Sequence, residues 1–472
     1  MMSELFSTKQ VAQLANIHRD TLLRWLRENR VPEPGRNRNG WRVFTNEEAE
    51  AIARYARSGQ ISHQVNETEI QYKIPLPYID SPARLSEMDW DFADAQTDYL
   101  THNLHPYPCK FIPQIPNTLI QDLSSVGNVI LDPFCGSGTT LVEALRLGRS
   151  AIGLDANPLA CLISRAKTTC ISSVEVETLR TLADEMGGFS TQVVEGMQPL
   201  FPSLAPILPE ELPTNKGIVD WFDAHIIEEC AVIKKHCLQL TDEKLRSIAL
   251  NAFSSVIVSV SRQDSETRYV RREKAIKRGE TYRRFARMLH QSVDRLCEFS
   301  AEISPAQSVK VIQGNILIPP DIGIVDLVVC SPPYPNAFSY HLYHRTRMEW
   351  LDMDQPTFKQ EEIGSHRKYS RKGADAATED TFRQELQTIL AWLARCLRLN
   401  RHACFIIGDS TIRGQVVHND QLLIEVAEKA GFCLEANIER QLQATKKSFN
   451  PAIGKIKSER IVILRNVGGR NE

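Results

Sequence analysis

Two short runs of residues have types and spacing suited to chemistry, and they lie far apart in the chain. The first, Asp132 to Thr139 (DPFCGSGT), follows an apolar run and contains two glycines. The second, Ser331 to Tyr334 (SPPY), also follows an apolar run. Adjacent prolines end a strand, remove two N–H donors and leave their carbonyls free to accept hydrogen bonds. Because a tyrosine ring follows them, the second run is suited to bind a planar group that carries an amine.

The elements around the first run form a strand–helix–strand unit over residues 128–158. An apolar strand leads into the glycine turn, an amphipathic helix follows, and a second strand ends at Asp155. Gly136 and Gly138 allow the backbone to approach a ligand closely, and an acid after the second strand binds ribose hydroxyls in dinucleotide folds. The third glycine of the Rossmann fingerprint is missing here. The unit predicts an α/β fold with a nucleoside site.

Together the two runs resemble the amino-group DNA methyltransferases that use S-adenosylmethionine. The segment HPYPCKFIPQIPNTLI, which starts at His105, resembles the part of that family that closes over the methionine portion of the cofactor. VIQGNIL (311–317) resembles the strand whose end contacts the adenine ring, and ACFIIGDS (403–410) resembles a loop near the target base. At the adenine position the family usually has an acid, whereas this chain has Asn315, whose carbonyl can still accept from the adenine amine.

The resemblance implies an α/β fold, with a Rossmann-like seven-stranded methyltransferase sheet and a helical insertion. It implies S-adenosylmethionine as the cofactor. The residues that it assigns to the cofactor are His105, Lys110, Phe111, Asp132, Pro133, Phe134, Gly136, Ser137, Gly138, Thr139, Asp155 and Asn315. The residues that it assigns to the target base are Ser331, Pro332, Pro333 and Tyr334.

Methyl transfer to a base amine explains the SPPY run. The amine lone pair is delocalised into the ring, and acceptors at Ser331 and at the Pro332 carbonyl would localise it and aim it at the methyl group. Tyr334 would stack on the base, which must be flipped out of the duplex. Positioning and electrostatics then supply the catalysis, with no covalent enzyme intermediate. Serine at the first position favours cytosine N4 as the target, and adenine N6 stays open.

Cytosine-C5 methylation is a competing chemistry, because it needs a cysteine nucleophile. Cys109 follows a proline and Cys330 precedes Ser331, but the first lies in the closing segment and the second ends an apolar strand. Both are interpreted as packing residues. The eleven cysteines form no C-x-x-C pair, so reduced thiols are expected and no metal site is predicted.

The first 60 residues predict a separate small unit that resembles the winged helix-turn-helix of MerR-type regulators. Two helical patterns are joined by a short turn, Asn39-Gly40 indicates a hairpin, and Thr45 with Glu48 has capping-box spacing before a third helix. The arginines expected to contact DNA here are Arg19, Arg24, Arg38 and Arg42. The alternative is a small helical adaptor that binds protein.

A second set of DNA contacts is expected in the basic stretch that begins at Arg262, where Arg268, Arg271 and Arg272 are the candidates. The alternative is a solvated helical face. Residues 366–373 form a further basic stretch that is interpreted as a phosphate-contacting loop. His341 and His344 have no partners at metal-ligand spacing and are interpreted as helix-surface or DNA-facing groups.

The predicted domains are a winged helix-turn-helix (1–60), a linker or strap (61–100), a cofactor-binding half (101–170), a helical insertion that would recognise the target (171–305) and a catalytic half (306–472). Hydrophobic residues make up 42% of the chain and charged ones 24%, and the net charge is −2. Nucleic acid must therefore be bound by local basic patches. No membrane span or signal peptide is predicted, so a cytoplasmic protein is expected.

The expected partner is double-stranded DNA. Enzymes of this family commonly act with a cognate restriction endonuclease or within a defence system, so such proteins are further expected partners. Two alternatives stay open at this stage: an RNA amino-group methyltransferase, and a DNA-binding regulator with an inactive methylase domain. The winged helix favours duplex DNA over RNA, and the intact glycine and SPPY motifs argue against an inactive domain.

Overall fold

A computed structural model describes residues 6–15, 19–27, 31, 34–36, 42–45, 48–53, 81–93, 95–196, 206, 208–336, 338–371, 373, 376–442 and 458–468. The chain divides into two compact units, Met1–Pro77 and Tyr78–Glu472. None of the described helices is long and apolar enough to cross a membrane.

The first unit contains short helices and a small antiparallel sheet in the order β1-β3-β2. Its elements are β1 (Phe6–Ser7), α1 (Thr8–Leu14), α2 (Arg19–Arg27), β2 (Gly35–Arg36), β3 (Arg42–Phe44) and α3 (residues 48–53). Val11, Leu22, Phe44 and Ile52 form its core. The Asn39-Gly40 turn lies outside the described residues, and the MerR-like assignment stays a prediction.

The predicted cap before α3 is present. Thr45 N–H donates to the Glu48 carboxylate over 2.8 Å, and Glu48 N–H donates to the Thr45 hydroxyl over 3.3 Å. These reciprocal bonds satisfy two N–H groups at the start of a helix, which explains why the capping-box spacing was a sound sequence signal.

The second unit is built on a seven-stranded, mostly parallel sheet with the order β13-β14-β10-β9-β4-β5-β8. Its strands are β4 (Val129–Asp132), β5 (Ser150–Asp155), β8 (Val309–Gln313), β9 (Val325–Cys330), β10 (Leu397–Gly408), β13 (Phe432–Gln441) and β14 (Ser458–Asn466). All neighbours from β10 to β8 pair in parallel, and β14 pairs antiparallel with both β10 and β13. The predicted α/β class and the seven-stranded sheet are confirmed.

Helices cover both faces of this sheet. The helices of the unit are α4 (Ser81–Ser86), α5 (Gln114–Leu123), α6 (Thr139–Arg146), α7 (Pro158–Lys167), α8 (Ser173–Glu195), α9 (Lys216–Val219), α10 (Ala224–Gln239), α11 (Glu243–Val260), α12 (Glu280–Glu302), α13 (Tyr340–Tyr343), α14 (Arg345–Trp350), α15 (Gln355–Glu361), α16 (His366–Tyr369), α17 (Glu379–Cys396) and α18 (Asn419–Lys429). Every residue of β9 is buried, which is the pattern of a parallel strand covered on both faces. Leu327 and Val329 enter one core, whereas Val328 and Cys330 enter the other.

Residues 81–93 pack against the antiparallel edge of the sheet. The Trp90 side chain is buried, and the Trp90 backbone carbonyl accepts from Arg440 Nε on β13 over 3.1 Å. Gln441 N–H donates to Asp91 over 2.7 Å. This part of the predicted linker or strap therefore covers strand β13.

The long helices α8, α10, α11 and α12 lie between β5 and β8 in the order of the chain. They form a bundle with its own apolar core. A short hairpin, β6 (Gln263–Ser265) and β7 (Arg268–Arg271), follows α11. The buried Glu229 carboxylate of α10 accepts from Gly279 N–H over 2.6 Å and from Thr281 N–H over 3.1 Å. One acid thus satisfies two N–H groups at the start of α12.

Replacing Glu229 by alanine should destabilise the protein by about 2–4 kcal/mol, because two buried N–H groups lose their acceptor. Urea unfolding followed by circular dichroism measures this change. Glu228→Ala is the matched control, since Glu228 pairs with Arg278 at 3.0 Å on the surface and its loss should cost about 0–1 kcal/mol. Equal effects of the two changes would contradict the assignment of Glu229 as the helix cap.

Candidate active site

The carboxyl ends of β5, β4, β9 and β10 meet at one edge of the sheet, because these strands run parallel. In open α/β sheets ligands bind at this edge. It carries Asp155 as the last residue of β5, Asp132 as the last residue of β4, Ser331 directly after β9 and Asp409 directly after β10. The two sequence motifs, far apart in the chain, thus end adjacent strands.

The glycine turn follows β4, and both of its glycines have left-handed backbone conformations. Gly136 has φ +48° and Gly138 has φ +78°. A Cβ at Gly138 would lie 2.9 Å from Ser164 Oγ and 3.2 Å from Ser164 Cα, so no larger residue fits. Ser164 Oγ also donates to the Gly136 carbonyl over 2.8 Å. Ser164 is a residue that sequence reasoning missed, and no local motif marks it.

Asp155 contacts the glycine turn directly. One carboxylate oxygen accepts from Gly136 N–H over 2.9 Å and the other accepts from Asn157 N–H over 2.8 Å. Burial raises the pKa of Asp155 to about 6, although these two hydrogen bonds favour the ionised form. The carboxylate is therefore fixed in place and still has lone pairs available for ribose hydroxyls.

Asp132 lies at the end of β4 and is buried. Its carboxylate accepts from Phe134 N–H over 3.0 Å, and burial raises its pKa to about 7. In the same turn the buried Ser137 hydroxyl has no hydrogen-bond partner among the described residues. A buried hydroxyl without a partner fits a site that a polar ligand completes.

The segment predicted to close over the cofactor divides into two parts. Lys110 and Phe111 lie beside Thr139 of the glycine turn, and together with Thr97, His102, Ile112 and Pro113 they line a cavity of about 210 Å³. Lys110 Nζ donates to the His102 carbonyl over 2.7 Å. These predicted cofactor residues are brought together.

His105 lies elsewhere in this segment. It is fully buried, with Nε2 at 3.0 Å from Ser254 Oγ of α11 and Nδ1 at 2.9 Å from the Pro106 carbonyl. Burial holds its pKa well below the ordinary value. Because both ring nitrogens have protein partners, His105 ties the closing segment to the insertion.

Asn315 is brought to the same edge. Gly314 N–H donates to the Asp155 carbonyl over 3.0 Å, which holds the end of β8 beside β5. The Asn315 side-chain oxygen accepts from Leu317 N–H over 2.9 Å. The Asn315 side-chain oxygen, which is expected to accept from the adenine amine, thus already accepts one hydrogen bond. This bond fixes the orientation of the side chain.

In the SPPY run, the side chains of Ser331 and Tyr334 contact one another, with 3.4 Å between their hydroxyl oxygens. The Tyr334 hydroxyl also lies 3.3 Å from the Ile406 carbonyl and 3.3 Å from Glu459 Oε1. Gly364 packs on the backbone of the run: its φ is +72°, and a Cβ there would lie 2.6 Å from the Tyr334 carbonyl oxygen. Sequence reasoning missed Glu459 and Gly364.

An aromatic group connects the glycine turn with the chain that follows SPPY. The Tyr107 ring stacks on Tyr340, with centroids 5.8 Å apart, and on His344 at 5.0 Å. Tyr107 also lies beside Gly136, where an added Cβ would be 3.5 Å from its ring. Tyr107 was also missed, although its place inside the closing segment was a usable signal.

The prediction that His341 and His344 face the helix surface or DNA is wrong. His341 is buried and its Nδ1 pairs with the Glu362 carboxylate. His344 is fully buried in the aromatic group, and neither ring nitrogen has a partner among the described residues. The reason is that His344 stacks on Tyr107 of the closing segment and precedes α14, which packs against α11. His341 lies where α13 packs against α15 and the following Glu362.

The loop after β10 lies beside the SPPY loop. Asn336 donates to the Thr411 carbonyl over 2.5 Å, at the start of the hairpin formed by β11 (Ser410–Ile412) and β12 (Gln415–Val417). Among the described residues, Asp409, His418 and Asp420 place their polar atoms within 4.8 Å of one another. His418 and Asp409 already contact at 3.2 Å, and exposed groups of this kind are common without a metal.

The arginines predicted to contact DNA in the insertion lie on or just after β7 and are exposed. Each also has an acidic neighbour: Arg268 and Arg272 lie 3.2 and 3.3 Å from Asp264, and Arg271 lies 3.4 Å from Asp220. Surface pairs of this kind are weak enough to exchange for phosphate. In the first unit, Arg19 and Arg24 lie on α2, Arg42 is half-buried on β3 and Arg38 lies outside the described residues.

The hairpin that carries these arginines is attached to the chain that follows SPPY. Gln263 Nε2 donates to the Tyr343 carbonyl over 3.1 Å. The fully buried Arg347 makes two bonds to the Glu266 carboxylate, of 2.6 and 2.7 Å.

Comparison with known proteins agrees with this geometry. A family model described as DNA methylase (N6_N4_Mtase) matches residues 22–165, which include the closing segment and the glycine turn. The type II methyltransferase M.MvaI of Kocuria varians is 29% identical over 287 residues, which are 56% of this chain and 60% of that protein. M.MjaII of Methanocaldococcus jannaschii is 35% identical over 105 residues, or 21% of this chain and 19% of that protein. The chain thus spans about 60% of the length of M.MvaI.

Two solved structures are also similar. TrmN from Thermus thermophilus matches with a TM-score of 0.29 and 9% identity, over 75% of this chain and 49% of that one. A TehB-like SAM-dependent methyltransferase from Corynebacterium glutamicum matches with a TM-score of 0.26 and 12% identity, over 74% of this chain and 86% of that one. The family model and the type II relatives support the resemblance of this chain to amino-group DNA methyltransferases.

Proposed function

We propose that this protein transfers a methyl group from S-adenosylmethionine to the exocyclic amine of a base in DNA, and that cytosine N4 is the preferred target. The observation that carries the proposal is the parallel pairing of β4 with β9 (Ile130↔Leu327 and Leu131↔Val328). This pairing places the glycine turn and the SPPY run side by side at one sheet edge.

The residues at this edge fit the cofactor. The fixed carboxylate of Asp155 can accept from ribose hydroxyls, and the buried Ser137 hydroxyl is available for a polar ligand atom. The cavity beside Lys110, Phe111 and Thr139 is adjacent to the turn. When bound, S-adenosylmethionine supplies a methyl group on a sulfonium, which is a good leaving group.

The SPPY run is suited to hold the amine. Ser331 Oγ and the Pro332 carbonyl would accept its two hydrogens, while Tyr334 would contact the base. Gly364 supports the Tyr334 backbone from behind. Serine at position 331, where adenine enzymes of the family commonly have an acid or amide, is the reason to prefer cytosine over adenine.

We further propose that the predicted domains divide the work. Residues 1–60 and the exposed arginines of the β6–β7 hairpin would bind phosphates, while 101–170 and 306–472 would form the two catalytic halves. Duplex DNA is then the macromolecular substrate. A cognate endonuclease or defence-system partner and a cytoplasmic location complete the proposal, which the type II relatives motivate.

Incubation with S-adenosylmethionine and unmethylated duplex DNA should produce N4-methylcytosine, identified by mass spectrometry of the digested nucleosides. Ser331→Ala should lower the yield at least tenfold, because one acceptor of the amine is lost. N6-methyladenine would retain the mechanism and change the base. Product on RNA alone would refute the DNA assignment, and no product without cofactor binding would leave a DNA-binding regulator.

Asp155→Asn should weaken S-adenosylmethionine binding roughly tenfold to hundredfold, because hydrogen bonds to a charged acceptor are lost. In the wild type the ribose hydroxyls favour the ionised carboxylate. Affinity should therefore fall as the pH drops through about 6, where Asp155 takes up a proton, and the variant should lack this step.

Isothermal titration calorimetry between about pH 5 and 8 tests both statements. Asp321→Asn, on an exposed turn at the opposite end of β9, is the control. A variant that binds as tightly as the wild type would exclude a ribose contact by Asp155. A remaining step near pH 7 in the variant would report Asp132 instead.

Gly364→Ala should lower kcat about a hundredfold, because the added methyl forces the SPPY backbone to move. Cofactor affinity should be unchanged, since Gly364 does not touch the glycine turn in any described contact. Gly323→Ala is the control: its φ is +75° but nothing lies within 4 Å of an added Cβ. Equal kcat values for the two variants would contradict a role of the Gly364–Tyr334 contact in catalysis.

A further inference from the structure

The Tyr334 hydroxyl lies among three oxygen atoms, and these determine the direction of its hydrogen bonds. Ile406 O and Glu459 Oε1 are each 3.3 Å away, and Ser331 Oγ is 3.4 Å away. A carbonyl and an ionised carboxylate only accept. With the single proton of the tyrosine on one of these two acceptors, Ser331 donates to Tyr334 in the remaining contact.

This direction matters for the target base. An exocyclic amine conjugated with the ring can only donate, so a serine that holds it must accept. When the Ser331 proton is committed to Tyr334, both remaining lone pairs of Ser331 Oγ are available to the amine. If Glu459 is protonated, its carboxyl O–H can donate to the Tyr334 oxygen in place of the Ser331 hydroxyl. Ser331 then loses the acceptor that fixes the direction of its proton.

Glu459 is held firmly in this position. Its other oxygen accepts from Arg440 Nη1 over 3.0 Å, and the two side chains are 16% and 6% exposed. Arg440 also donates to the Trp90 carbonyl over 3.1 Å. The pair is directly opposed across β13 and β14. Burial raises the pKa of Glu459, and the Arg440 guanidinium opposes this rise.

We propose that Glu459 is a positioning residue of the methyl-transfer site, which acts through Tyr334 to keep the Ser331 hydroxyl an acceptor for the amine of the target base. The inference rests on the proposed function and deepens it. Nothing in the sequence around Glu459 marks it, because the contact joins the antiparallel end of the sheet to a loop that follows β9.

Among the described residues, three groups face the Glu459 carboxylate: the guanidinium of Arg440 on β13, the phenol of Tyr334 in the SPPY run and the thiol of Cys109 in the closing segment. Desolvation raises the pKa of both the phenol and the thiol. The raised pKa of Glu459 moves its protonation towards the pH range of an ordinary activity assay.

The same two strands carry a matched control. Glu439 and Arg460 are the neighbouring cross-strand pair, 3.2 Å apart and 44% and 39% exposed, on the opposite face of the sheet. Glu439→Gln makes the same chemical change as Glu459→Gln without touching Tyr334. Tyr334→Phe removes the hydroxyl and leaves the buried ion pair in place.

The experiment measures kcat, KM for S-adenosylmethionine and their pH dependence for the wild type and these three variants. In Glu459→Gln the Arg440 donor takes the amide oxygen, so the amide N–H₂ faces the Tyr334 oxygen and competes with Ser331. We expect kcat to fall roughly tenfold or more with KM unchanged, which corresponds to at least one lost hydrogen bond. Tyr334→Phe should show a similar loss, and Glu439→Gln should match the wild type.

The pH profile separates positioning from a merely structural role. Wild-type kcat should fall on the acid side as Glu459 becomes protonated, and this limb should be missing from both Glu459→Gln and Tyr334→Phe. An acid limb that persists in both variants, or wild-type kcat in Glu459→Gln, overturns the inference. A loss in Glu459→Gln accompanied by a lower Tm and weaker cofactor binding, with normal kcat in Tyr334→Phe, also overturns it in favour of a structural ion pair.

Different results would overturn the proposed function and the inference about Glu459. A wild-type protein that binds S-adenosylmethionine but methylates no base amine overturns the proposed function and the inference with it. An active wild type with an unaffected Glu459→Gln variant overturns the inference alone.

Discussion

The parallel pairing of β4 with β9 is the constraint on which the site depends. Ile130 faces one apolar core and Leu131 the other, so a shift of the register by one residue would move each side chain to the wrong face. At the other end of β9, the Asp326 carboxylate accepts from Val129 N–H over 2.9 Å and from Arg398 Nε over 2.8 Å, which ties three strands together. Because the register is fixed at both ends, Asp132 and Ser331 must leave the sheet side by side.

The edge that results is electrostatically unfavourable without a ligand. Asp132 is buried and Asp155 is half-buried beside it, and desolvation raises the pKa of each. For an acid with a raised pKa in the folded state, stability is greatest at low pH and is lost as the pH rises through about 6 to 7. The buried Ser137 hydroxyl, which has no hydrogen-bond partner in the part of the chain that the structure describes, adds an unsatisfied group. A fold carries such costs where function requires them, and donors such as ribose hydroxyls would relieve them.

The sequence was sufficient for features that depend on near neighbours. The glycine turn, the acid after β5, the alternation of apolar residues and the Thr45–Glu48 cap all follow from local rules. Contacts between segments that are distant in the chain could not be predicted from the sequence. Glu459 reaches Tyr334 from another strand, and Gly364 packs against the Tyr334 backbone. Of the histidines that were expected on a surface, His344 is covered by Tyr107 of the closing segment and His341 pairs with Glu362. Of the acidic partners of the hairpin arginines, Asp264 is close in sequence and could be anticipated, whereas Asp220 is distant in sequence and could not.

Helix α11 links the parts of the site that the sequence suggested were separate domains. Its Ser254 hydroxyl contacts His105 of the closing segment, and its Ser254 carbonyl accepts from Arg347 Nε over 2.9 Å. Arg347 in turn holds the hairpin through Glu266. Removal of one partner of a buried guanidinium strongly destabilises the folded protein, so these contacts are made or broken together. If the hairpin arginines bind a phosphate backbone as proposed, the binding energy would act on the helix that follows SPPY, and remote binding energy spent on positioning is a general source of catalysis.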